Sequence, residues 1–150
     1  MSAATNRGGA AIGRISDLNP VEAGAVLYLR LWSDGAPGRA EMARDFAIAL
    51  GADGGRSALA ILDQIFGLCA LHGRRPLIRH GSGCVCLGAD ENCFAQMIAA
   101  AAEGEHDDAL MMALLIVRPD LAPALVALSE QFGLMLRRMA GRCAAPAVVH

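Results

Sequence analysis

The chain has 150 residues, of which 55 % are hydrophobic and 19 % charged, with a formal net charge of −2. That length suits one domain with a single buried core, and that composition excludes a disordered chain. It also excludes a nucleic-acid binder of the usual kind, which needs a clustered basic face.

Residues 1–16 are rich in Gly, Ala and Ser and show no periodicity, so a flexible N-terminal tail is expected there. The domain is expected over 17–140. Its first helix starts at Asn19-Pro20-Val21-Glu22. Asn19 suits the N-cap, Pro20 the first helical position, and Glu22 the carboxylate of a capping box. This helix runs to about Ser33, with Val21, Ala25, Leu29 and Trp32 at helical spacing.

After the turn Asp34–Gly38, a second helix is predicted over about Arg39–Leu50, with Gly51 as its stop. Asp53-Gly54-Gly55 reads as another turn. A third helix follows, capped by Asp53 or Ser57 and ending near Leu71. Cys69 falls on its apolar face and is expected in the core, as free cysteines commonly are.

His72–Gly88 breaks the pattern. Pro76 disfavours helix at Arg75, and Gly81, Gly83 and Gly88 loosen the backbone. Leu77–Arg79 and Cys84–Leu87 suggest a short hairpin around His80–Gly83; the alternative is an irregular loop.

Asp90 can cap a fourth helix, about Glu91–Glu103, closed by Gly104. The fifth, about Glu105–Val117, opens with acids, as the helix dipole prefers, and then turns apolar on all sides. Such a helix belongs in a bundle centre or across an oligomer interface. The sixth spans about Leu121–Met139. Its Leu121, Leu125, Leu128, Phe132, Met135 and Met139 alternate steps of four and three, a heptad-like packing face. Residues 141–150 read as a C-terminal tail. The expected fold is therefore all-α: a six-helix bundle with a short hairpin or irregular loop between helices 3 and 4.

The chemistry-bearing residues gather in Arg74–Cys93. His80, Cys84, Cys86 and Cys93 form the pattern H-x3-C-x-C-x6-C, which can supply the four ligands of a zinc tetrahedron. Zinc also prefers paired C-x2-C ligands, which this chain lacks. In a strand, Cys84 and Cys86 would share a face with Cα atoms about 6.6 Å apart, wide for a disulfide. They can equally be inward-facing packing residues. Cys93, in the first helical turn, is the candidate reactive thiol because a helix N-terminus favours thiolate, although Asp90 and Glu91 oppose it. Arg74, Arg75 and Arg79 suit either an anionic ligand or a solvated loop. Glu103-x-x-His106 is a single di-iron-type pair interrupted by Gly104. No phosphate-cradling loop or nucleophile elbow is present.

These features suggest a small helical interaction or regulatory module whose loop can hold a structural zinc. The alternative is a thiol-redox protein or small enzyme using the loop cysteines. The two apolar helices suggest a homodimer, with a further protein partner possible and no nucleic acid. The longest apolar run, Ala109–Val117, is half what a bilayer needs, so no membrane association is expected. Odd, irregularly spaced cysteines suggest reduced thiols in the cytoplasm.

Overall fold

A computed structural model describes residues 7–148, with the backbone path alone for 143–148. The described residues form β1 (Ala11–Arg14), α1 (Pro20–Ser33), α2 (Ala36–His72), β2 (Cys86–Gly88), α3 (Ala89–Ala102), α4 (His106–Ile116) and α5 (Ala122–Val148). The described residues are mostly helical, with five α-helices and a small antiparallel sheet, not the expected six-helix bundle.

Two physical causes account for the difference. The first is at Gly51, whose φ of +80° and ψ of 173° break the helical path. The chain re-enters helix at once, and Asp53-Gly54-Gly55 is helical instead of a turn. Gly55 lies against the preceding half of α2: a Cβ there would stand 3.0 Å from the Ala47 nitrogen. The helical path does break at Gly51, as expected of a stop, but helix resumes directly after it, so the two expected segments run on within α2 with no separate turn between them.

The second cause is long-range pairing. The expected hairpin does not form. Cys86–Gly88 pairs instead with Ala11–Arg14, with Ala11 opposite Gly88 and Arg14 opposite Cys86. Residues 11–14, expected in a tail, are therefore a strand, with a register irregularity between Ala11 and Gly13. The tail residues 1–6 and 149–150 lie outside the described residues. At the other end, α5 continues past the expected stop at Met139 to Val148.

The α1 start follows its local chemistry. Glu22 N–H donates to Asn19 Oδ1 at 2.9 Å, and Asn19 N–H donates to Glu22 Oε1 at 3.0 Å. The centre of the molecule is α3, packed on α1, α4 and α5. Its Phe94, Ala95, Met97, Ile98 and Ala101 are all fully buried. Phe46 and Phe132 meet edge-on at 6.2 Å, and Phe66 stacks on Phe94 at 5.6 Å. By contrast, α4 buries Ala109, Ala113 and Ile116 but turns Met111 and Leu115 outward. The bundle centre thus falls to α3 and not to the more apolar α4. With α3 fixed in the core, its N-terminal residues Asp90 and Glu91 are delivered beneath the 73–88 segment.

Candidate functional site

The polar island is built around a buried ion pair, Arg30 on α1 and Glu91 on α3, 2 % and 0 % exposed. Arg30 Nε donates to Glu91 Oε2 at 2.6 Å and Nη2 to Oε1 at 2.9 Å. The same guanidinium donates to the carbonyls of Cys84 at 2.7 Å and Cys86 at 2.8 Å. Carbonyls two residues apart on an extended segment point the same way, so one planar fork caps both. The Val85 carbonyl, pointing oppositely, accepts from Ile15 N–H at 2.9 Å. One edge of β2 is therefore covered by β1 and its neighbour residues, the other by an arginine.

Glu91 completes the arrangement. It accepts from His80 N–H at 3.0 Å and Gly88 N–H at 2.9 Å as well as from Arg30. A carboxylate has about four lone-pair positions, and all are engaged. Burial opposes ionisation of Glu91. Hydrogen bonds from Arg30, Gly88 and His80, with the Arg30 charge, outweigh burial and hold the carboxyl below its usual range.

The preceding residue, Asp90, acts in the same way. Arg75 grips it with two bonds, of 2.7 and 2.6 Å, and Ile78 N–H donates to it at 2.8 Å. Backbone donors at 78 and 80 thus go to Asp90 and Glu91 in turn. This is why Leu77–Arg79 does not pair as a strand: side-chain carboxylates satisfy the donors that a hairpin partner would have taken.

The other two arginines of the expected cluster are also spent internally. Arg74 Nε donates to the Leu114 carbonyl at 2.6 Å, and Arg79 donates to the Ser33 carbonyl at 3.2 Å and lies 3.5 Å from Asp34. His72 Nδ1 accepts from Arg118 at 2.9 Å.

Comparison with protein-family models, curated proteins and solved structures gives no match. The chemistry of the site therefore rests on its own geometry.

Of the four residues singled out by spacing, the structure brings two together. His80 Nδ1 is 3.8 Å from Cys84 Sγ, while His80 Nε2 is 3.0 Å from the Gly9 carbonyl. Cys93 points elsewhere, its sulfur 3.9 Å from the Met112 carbonyl. Among the described residues, no group of three or more His, Cys, Asp or Glu side chains is placed to hold a metal ion. The zinc tetrahedron expected from His80, Cys84, Cys86 and Cys93 is not assembled here. Burial and the Asp90 charge push the Cys93 thiol up, against a smaller opposing effect of Arg75. The helix N-terminus thus does not make it acidic. Cys69 packs partly buried against the core, and burial pushes its thiol up to about 11.

Sequence reasoning missed the Arg30–Glu91 pair. A signal existed: Arg30 is the one charge within the apolar run Ala25–Trp32, and a charge on a buried stripe requires a partner. The partner's identity was hidden, because Glu91 resembles an ordinary first-turn acid of α3.

Proposed function

We propose that the protein is a helical interaction module that works as a homodimer in a reducing compartment. The polar island serves as its scaffold, and the outer face of α4 is its contact surface. The observation that carries this reading is the pair Met111 and Leu115, one helical turn apart and 65 % and 67 % exposed. Leu71 is also exposed, on the last turn of α2. The ends of α2 and α4 are tied by a bridge between Gly73 and Val117, so these apolar side chains sit on joined elements.

The polar island supports the same conclusion. Arg30, Glu91, Arg75 and Asp90 direct their charges at each other and at backbone groups. Such a network gives a rigid segment, which is the usual support for a recognition surface. No helix among the described residues is long and apolar enough to cross a membrane.

A stable interface buries about 800 Å² per partner, with a few apolar anchors at its centre. Met111 and Leu115 are the anchors of this one. Sedimentation or light scattering at micromolar concentration is expected to give twice the chain mass. The Met111→Glu, Leu115→Glu double variant is expected to be monomeric with unchanged helical circular dichroism. A monomeric parent chain, or a variant that remains dimeric, overturns the proposal.

A further inference from the structure

We propose that Cys84 is a covalent-modification site for small electrophiles, with His80 as the base that takes its proton. The geometry is that of a nucleophile, a base and an orienting group in sequence. A backbone carbonyl can only accept, so the Gly9 oxygen at 3.0 Å requires His80 Nε2 to carry the ring proton. In the neutral ring, Nδ1 is then the acceptor, and Nδ1 is the atom facing Cys84 Sγ at 3.8 Å. Contacts of this kind are often long in an unliganded site and shorten when the reaction partner arrives.

The main chain of both residues is held as well. His80 N–H is bound by Glu91, so its backbone position is set by the buried stitch. The Cys84 carbonyl is bound by Arg30, so the thiol's backbone is set by the same stitch. Base and nucleophile therefore hang from opposite ends of one ion pair.

Access is open. Cys84 is only half-buried, and Gly81, Ser82, Gly83 and Val85 around it are exposed. The flanking glycines admit a small reagent without displacing a side chain. Cys69 and Cys93 lack this combination. Cys69 packs against the core with its thiol pushed up to about 11, and Cys93 faces the Met112 carbonyl and is pushed up by burial.

With iodoacetamide as the probe, the sulfur–carbon bond forms as the carbon–iodine bond breaks. Iodide leaves, and the thiol proton passes to His80 Nδ1 and then to water. The test follows alkylation of each cysteine by peptide mass mapping, in the folded protein and in the chain unfolded by guanidinium chloride. Burial alone slows a thiol on folding, so Cys69 and Cys93 are expected to react more slowly when folded. Cys84 is expected to react faster folded than unfolded, and about tenfold faster than folded Cys86. His80→Gln is expected to remove that advantage at Cys84 while leaving the folded rates of Cys69 and Cys93 unchanged. Those two rates show whether the variant has kept its fold. If the variant has loosened, the folded-to-unfolded ratio in the parent decides alone. A Cys84 that reacts more slowly folded than unfolded, or at the same rate in a well-folded His80→Gln variant, overturns the proposal.

Discussion

Replacing both members of the buried pair, Arg30→Met with Glu91→Leu, tests the central claim about the polar island. Swapping a buried ion pair for apolar residues of similar volume is commonly neutral or even stabilising, because two desolvated charges are removed together. Here the outcome is expected to differ. Arg30 and Glu91 also serve four backbone groups: the Cys84 and Cys86 carbonyls and the His80 and Gly88 N–H groups. The double variant leaves all four without these partners. Only the Gly88 bond is fully buried; the other three are part-buried and can recruit some water. At about 1 kcal/mol for each orphaned group, the loss is roughly 4 kcal/mol. Either single variant is expected to cost about 3–5 kcal/mol by stranding one buried charge. The double variant should therefore regain little of the single-variant loss. Equilibrium guanidinium unfolding monitored by circular dichroism gives the three differences. Hydrogen exchange at His80 and Gly88 should quicken in each variant. A double variant within about 1 kcal/mol of the parent would show that the pair matters as a charge pair only, and the backbone-stitch account would be wrong.

Acid should reveal the same carboxylate. The folded Glu91 carboxyl lies below its usual range, so its contribution is present above the unfolded value of about 4.3 and lost as pH falls through the folded value. Glu91→Gln is accordingly expected to flatten the fall in stability between about pH 5 and pH 3, and parallel profiles for variant and parent would sink this assignment. Chelation offers a separate check on what orders the 73–88 segment. Protein purified without a metal-affinity step is expected to keep the same melting temperature after exhaustive EDTA dialysis, since Arg30, Glu91, Arg75 and Asp90 hold the segment. A melting temperature lowered by chelator and restored by zinc would count against that account.

Features decided within one or two helical turns were visible in the sequence. The Asn19–Glu22 capping box is present with both its bonds. The expected stripe buries Leu125 and Phe132 completely and rests Leu128, Met135 and Met139 of α5, with Leu121 just before it, against the core. Features decided across the chain were not visible. The partner of Cys86 in β2 is Arg14, and the partner of Arg30 is Glu91. No local pattern announces either pairing. The helix count went astray at Gly51 for a related reason. A glycine at positive φ is a common helix end, and Gly51 does break the helical path, but helix resumes directly after it and Asp53-Gly54-Gly55 forms no separate turn. Within the candidate site, proximity of His80 and Cys84 was within reach of spacing, whereas the separation of Cys93 depended on how α3 docks on α4.

The pairing of β1 with β2 has a consequence for how the chain is made. Strand Ala11–Arg14 leaves the ribosome long before its partner Cys86–Gly88 exists. At about 5–20 residues per second, the interval is several seconds, far longer than helix formation takes. During that time α1 can form but Arg30 has neither its carboxylate nor its carbonyls. The lone guanidinium keeps that apolar helix hydrated and discourages premature docking, because burying it unpaired is costly. Pairing with Glu91 removes the penalty, so burial of α1 is tied to the arrival of α3.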